Sequence, residues 1–270
     1  RVDGDSGTTM MRGAELRIIF LGFDQHRDSM LYGSVKDANP FKDRRVREAA
    51  FLAINEEAIA AKIMSGGAKP TGTLIAPGVD GYSDELAKRA PSNVAKAKAL
   101  LADAGYPNGF SFTFHNRAVD QPYKIVGTWL IDQWSKIGVK VTQKAVPTAQ
   151  WYSKYRKTKD YQVGLDANCQ AVINPVADVA KVLCSSSNNY SQCENAELEQ
   201  LFNDMNKESD PAKVRTMMRR YETIVLDEEA YIGHALWWYK INPHRSYVKG
   251  WKIAPSHYLN QQLDNVWLDK

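Results

Sequence analysis

Two periods of apolar residues alternate along this chain, and each change of period marks an element. Asn39-Pro40 is a turn signal, Asp43 can accept from the free N–H groups of the next turn, and Val46, Ala49, Ala50, Ala53 and Ile54 then share one helical face. Arg44, Arg45, Arg47 and Glu48 fall on the other, wet face. Asn55-Glu56-Glu57 caps a short second helix through Ile59, Ile63 and Met64, which Gly66-Gly67 stops before Pro70. Ser92 caps a helix that buries Val94, Ala97, Leu100, Leu101 and Ala104, with Gly105 as its end.

Strand signals alternate with these helices. ELRIIFLGF (15–23) is an apolar run followed by polar and turn-rich sequence, and TGTLIAPGVDGY (71–82) is a Pro- and Gly-rich loop. FSFTFH (110–115), a helix over 122–137 with Val126, Trp129, Leu130 and Ile137 inward, and VKVTQKAV (139–146) form a strand–helix–strand unit long enough for a parallel, right-handed crossover. A helix from Thr148 carries Trp151 and Tyr155, and YQVGLDA (161–167) reads as a third strand. Residues 169–193 are irregular and polar, with a short helix after Pro175. Asn195 and Asp210-Pro211 then open two amphipathic helices, and YIGHALWWYKI (231–241) is a last strand before a tail without helical period.

Composition adds bounds. The 270 residues, 44% hydrophobic, can bury one large core or two smaller ones. The net charge of +4, from 35 basic and 31 acidic residues spread along the chain, makes no positive stripe of the kind nucleic-acid binding needs. The densest basic run, Lys154, Arg156, Lys157 and Lys159, reads as a solvated helix end. No apolar run reaches the roughly 18 residues of a membrane span, and RVDGDSGTTMMRGAE lacks the apolar core of a signal peptide. Of three cysteines, Cys184 and Cys193 bracket a polar Ser/Asn loop that a disulfide could close, as an oxidising compartment would allow, leaving Cys169 alone.

Motifs for chemistry are missing from the sequence. The histidines at 26, 115, 234, 244 and 257 make no H-E-x-x-H or H-x₃-H pair and read as surface or hydrogen-bonded groups, and no cysteines have two-residue spacing. There is no G-x-S-x-G, P-loop or dinucleotide fingerprint, so no metal and no cofactor is implied. Seven Trp and 13 Tyr suit a binding pocket built from flat rings with polar edges, although Trp129 and Trp134 sit in the amphipathic helix as core residues.

Three consecutive stretches carry a resemblance. Asn39 to Ala49 reads N-P-F-x-D-x-R-V-R-x-A, Ile54 to Ile59 reads I-[ND]-x-E-x-I, and Gly66 to Pro70 reads G-x-A-x-P. In this order they resemble the family 5 extracellular solute-binding proteins, the dipeptide, oligopeptide and nickel receptors of ABC importers. A-x-x-L-L-x-x-A-G-Y (97–106), I-G-V-x-V (137–141) and V-x-G-W (248–251) extend the likeness over almost the whole chain. The resemblance implies an α/β, periplasmic-binding-protein-like lobe (type II, cluster C) with a mixed sheet flanked by helices, plus strands of a second lobe. The divisions it suggests are 1–35 as connecting strand and part of the other lobe, 36–240 as the ligand-binding lobe, and 241–270 as hinge return and tail.

Site residues also follow from the resemblance. Trp151 stands where family members carry an aromatic lining the ligand cavity. DANCQAVINP (166–175) resembles the family's G-W-x-A-D-x-x-x-P crest, with Asn168 in the tryptophan's place and Ala171 in that of the aspartate that binds a peptide's α-ammonium. These departures favour hydrogen bonding by Asn168, Gln170 and Asn174, beside Asp166 and Cys169, to an opine, sugar conjugate or modified amino acid. Trp237 and Trp238 match a cleft-facing patch but point to opposite faces of their strand, so one of them reaches the ligand. Arg117 and Tyr123, flanking the turn after FSFTFH, are further contacts. The implied protein is a monomeric periplasmic receptor, not an enzyme, that closes on a small polar solute and docks on permease subunits without entering the membrane. Rival readings are a hydrolase of peptides or sugars and a chaperone-like interaction module. Because relatives of this kind are about twice as long, Leu16 to Phe23 and the tail, with Trp251 and Trp267, are expected to need a partner surface and the chain alone to bind weakly.

Overall fold

A computed structural model gives the structure of the protein and describes residues 4–88, 90–169, 173–256 and 263–270. Gln170 and His257 lie outside the described residues. Six strands form a mixed sheet in the order β2-β6-β1-β5-β3-β4, where β1 is Thr8–Phe23, β2 Ala68–Lys69, β3 Ser111–Arg117, β4 Lys140–Val146, β5 Val163–Cys169 and β6 Ile232–Arg245. The predicted parallel unit is present: β3 pairs in parallel with β4 on one side and β5 on the other. The long β1 and β6 run antiparallel to each other, and β1 also runs antiparallel to β5. A separate pair, β7 (Val248–Lys249) and β8 (Trp267–Leu268), lies in the tail.

The alternation of side chains along β1 divides the interior in two. Ile19, Leu21 and Phe23 point to a core closed by the helices Arg44–Leu52, Val94–Asp103 and Ile125–Ser135. Leu16, Ile18 and Phe20 point to a second core closed by Trp151, Tyr155 and the helices Ala196–Met205 and Pro211–Glu222. The expectation that Leu16–Phe23 needs cover from outside is therefore corrected, because β1 lies in mid-sheet with a helical layer over each face. In the tail, Trp251 is half-buried and Trp267 is 55% exposed.

Helix starts follow the capping chemistry read from the sequence. Asp43, Asn55, Asn195 and Asp210 each accept a backbone N–H of the following turn. At 92–93 the cap is Asn93, not Ser92: its side chain accepts from the Lys96 N–H. Arg47 departs from its predicted wet face and is 3% exposed. Its guanidinium donates to the carbonyls of Phe41, Lys42, Glu229 and Ala230, so a planar head with five donors joins the first helix to the start of β6. Burial draws it down to about 10, which leaves it a cation at neutral pH.

His115 is also corrected. It is buried between the rings of Tyr32 and Tyr155, 5.1 Å from each, and neither ring nitrogen has a hydrogen-bond partner. Burial, with the Lys144 ammonium nearby, pulls it down to about 4 and keeps it neutral. The disulfide between Cys184 and Cys193 is formed, and Cys169 is free. Thiol titration of denatured, unreduced protein should therefore find one thiol; three would contradict the bridge.

Glu222 ties the Pro/Gly-rich loop to the second core. Its Oε1 accepts from Leu74 N (2.6 Å) and Ile75 N (3.3 Å), yet burial outweighs those bonds and pushes it up to about 7 from 4.5. A raised carboxyl value means that the folded state keeps a proton the unfolded state has lost, so stability falls as pH rises from about 4.5 to 7 and is then level. Glu222→Gln should remove that part of the slope, about 3 kcal/mol, in urea melts across this range; an unchanged slope would count against it.

Candidate functional site

Ligands of open α/β sheets settle outside the carboxyl ends of the parallel strands, and in this fold those ends carry Arg117 on β3 and Asp166–Cys169 on β5. Asp166 is the centre. It is 1% exposed, and one carboxylate oxygen pairs with Arg117 Nη2 at 2.9 Å and accepts the Ala167 N–H. The other oxygen accepts Trp151 Nε1–H at 2.8 Å and the Tyr190 hydroxyl at 2.5 Å. Burial and then the Asp166 charge hold the Tyr190 phenol well above its ordinary range, so it stays a donor.

Arg117, predicted as a contact on a turn, is instead the counter-ion of Asp166. Its guanidinium lies 3.9 Å from the ring centre of Tyr123, and that of Tyr152 is 5.5 Å away. Burial alone would lower Arg117, but Asp166 and the surrounding phenols outweigh it and the net shift is upward. Tyr123 is buried here, pushed up by burial and then by Asp166.

Two glycines make this packing possible. Gly22 on β1 and Gly164 on β5 face each other in register, leaving a notch in the sheet. A Cβ on Gly22 would lie 2.3 Å from Tyr190 Cβ, and one on Gly164 would lie 3.1 Å from the edge of the Trp151 ring. Trp151 fills the notch with no exposed surface, stacked 6.2 Å from Tyr190 and 6.5 Å from Tyr155.

Beside Asp166 opens a cavity of about 230 Å³. Its apolar wall is Ile18, Phe20, Leu74, Val182 and Ile232; its polar wall includes Tyr152, Arg156, Asn168, Asp178, Lys181 and Asn188. Of the residues singled out in the sequence, Asp166, Asn168 and Cys169 line it. Asn168 Oδ1 is buried and without a hydrogen-bond partner, while its Nδ2 sits 3.4 Å from the Asp178 carbonyl. Burial raises the Cys169 thiol.

The remaining predicted residues lie apart. Asn174 is exposed and caps the helix Pro175–Val179 by accepting from Val176 N and Ala177 N. Trp237 and Trp238 occupy opposite faces as predicted: Trp237 is buried in the second core, and Trp238 lines a separate hollow with Glu15, Arg17 and Gln121. The Arg17 guanidinium lies 4.3 Å over the Trp238 ring and 3.2 Å from Glu15. A larger hollow of about 700 Å³ touches none of these groups, and on its wall Glu48 is paired with both Arg44 and Lys96.

Tyr152, Arg156, Asp178, Lys181, Asn188 and Tyr190 were missed in the sequence. The basic run read as a solvated helix end holds the disulfide loop: Arg156 donates to Asn188 Oδ1, and Lys159 to the carbonyls of Ser187 and Asn189. The bracketing cysteines were the available signal that this loop is held in place. Among the described residues, no group of three His, Cys, Asp or Glu is disposed to hold a metal ion.

A mixed α/β sheet with helices on both faces and a part-polar cavity at its carboxyl edge defines a periplasmic-binding-protein-like lobe. Residues 1–190 match the model of the bacterial extracellular solute-binding proteins, family 5 (middle), and the chain belongs to that family. It is 30% identical over 223 residues to the probable deoxycholate-binding periplasmic protein YgiS of Escherichia coli (strain K12), covering 78% of this chain and 39% of that protein. It is 24% identical over 280 residues to the dipeptide-binding protein of Escherichia coli (strain K12), covering 98% of this chain and 49% of the relative. The solved structure of the ABC transporter-associated periplasmic binding protein DppA from Helicobacter pylori, in complex with peptide STSA, superposes with a TM-score of 0.83 at 21% identity over 100% of this chain and 50% of that one. The chain thus spans about half, or less, of the length of these relatives. Neither relative is described as a hydrolase.

Trp151→Ala should cost about 3–5 kcal/mol of stability in chemical denaturation, because it empties the notch and strips a donor from a buried carboxylate. A loss under about 1 kcal/mol would show that the ring is not structural.

Proposed function

We propose that this chain supplies a ligand-binding lobe, with strands belonging to a second lobe, of a periplasmic receptor of an ABC importer. It captures a small polar solute by closure of two walls and delivers it to membrane permease subunits. Family membership supports the class, and the relatives' printed descriptions as periplasmic binding proteins support the compartment. The observation that carries the reading is the cavity beside Asp166, where Asn168 offers a buried acceptor with no partner of its own. A polar atom enclosed in this way costs free energy that a ligand donor would recover.

In this reading Asn168, Asp166 and Cys169 meet the solute. Arg117, Tyr123 and Trp151 act behind them by fixing the Asp166 carboxylate, so their effect on affinity is indirect. Gln170 and Asn174 belong to the same stretch of sequence as further contacts, whereas Trp238 lines a separate hollow. The Ala171 departure supports a ligand other than an ordinary dipeptide. No chemical step is assigned to any of these residues, and the receptor acts as a monomer.

Native mass spectrometry of the full-length protein, released gently from its expression host, should find a bound small molecule. Asn168→Ala should weaken its binding by about 1–2 kcal/mol in calorimetry while leaving the melting temperature of the solute-free form nearly unchanged. Absence of any bound solute, together with turnover of a peptide or glycoside substrate, would overturn the reading.

A further inference from the structure

Charge on the cavity wall says what kind of solute fits. Four cations stand near it, and two already have carboxylate partners: Arg117 with Asp166 and Arg17 with Glu15. Arg156 and Lys181 line the cavity itself and have no carboxylate partner among the described residues. Arg156 donates to the neutral Asn188 side chain and lies 5.2 Å from the Tyr152 ring centre, and Lys181 Nζ donates to the Cys169 carbonyl at 2.8 Å. Each is half-buried, so water compensates only part of its charge. The second cavity-wall carboxyl, Asp178, is buried.

We infer that the cavity takes the acidic head of a small solute, a carboxylate set between Arg156 and Lys181, with an apolar body against Ile18, Phe20, Leu74, Val182 and Ile232. This rests on the receptor reading above and adds the ligand's chemical class. An ammonium head would face two cations, and Asp166 is already spent on Arg117, Trp151 and Tyr190. A doubly charged phosphate is a poorer match, because Lys181 stands alone as a point charge and Arg156 has already given a donor to Asn188. Burial lowers the Lys181 ammonium against the raising pull of Cys169 and Asp178, and burial pushes Asp178 up to about 7 against the pull of Lys181. At neutral pH Asp178 therefore holds its proton part of the time, and its negative charge is reduced.

The test uses the full-length protein and four probes, three of which share one apolar body: hexanoate, hexylamine and hexanol, with inorganic phosphate as the fourth. Calorimetry and thermal shift at pH 7 should rank hexanoate first. Lys181→Gln, which retains a donor for the Cys169 carbonyl, should weaken hexanoate about tenfold or more without lowering the melting temperature of the free protein. Arg156→Gln should do the same for binding, with thiol titration checking that the disulfide loop stays closed. Stronger binding of hexylamine, hexanol or phosphate, or hexanoate affinity unaffected by both substitutions, would overturn the inference. A co-purified solute without an acidic group would overturn it too while leaving the receptor reading intact; no solute and no probe binding would remove both.

Discussion

The site depends on one buried carboxylate. Asp166 sits on β5 with its charge taken up by Arg117 from the end of β3, an indole N–H from the segment after β4, and a phenol from the disulfide loop. A carboxylate out of water persists only when it is both paired and hydrogen-bonded, so these partners are coupled: moving any of them exposes the others to the cost of an uncompensated charge. That coupling fixes the cavity wall. Ala167 and Asn168 follow Asp166 on the same strand, and Tyr190 and Asn188 arrive on the same loop.

Backbone makes room for this hub. The facing pair Gly22 and Gly164 gives the second core a recess into which Trp151 and Tyr190 fit, and Tyr161 donates its hydroxyl to the Tyr190 carbonyl at 2.9 Å to hold the loop from behind. A disulfide closes the loop, Asn189 donates inside it to the carbonyls of Val182 and Leu183, and Lys159 and Arg156 hold it from outside. On the other side of the sheet Arg47 plays a comparable part with carbonyls in place of a carboxylate. Both devices bury a polar group with its valences filled, which ties elements far apart in sequence to a single arrangement.

The proposed binding follows from what these networks leave over. Arg117 is consumed by Asp166, whereas among the described residues Arg156 and Lys181 have no ionic partner and the Asn168 carbonyl has no hydrogen-bond partner. Binding energy is available where a wall group has not been satisfied internally, since a ligand then repairs an existing deficit instead of competing with a bond already made. The apolar half of the same cavity adds contact area without direction.

Sequence alone determined the elements, the parallel unit, the caps at Asp43, Asn55, Asn195 and Asp210, and the disulfide, because periodicity, capping and loop closure are local properties of a few neighbouring residues. Motif order added the family, and Asp166, Asn168 and Cys169 emerged with it as cavity residues. Tertiary structure alone decided which charges are buried and what satisfies them. Arg47 reads as a wet-face residue, but the nearby carbonyls of Phe41 and Lys42 and the distant ones of Glu229 and Ala230 surround it, and Arg117 reads as a loop cation, but β5 brings Asp166 within 2.9 Å. Trp151 went from expected ligand contact to filler of a notch, since that notch exists only when Gly22 and Gly164 come into register across two strands. A residue's spacing fixes the face it occupies, whereas its charge partner depends on chain segments brought together only by folding.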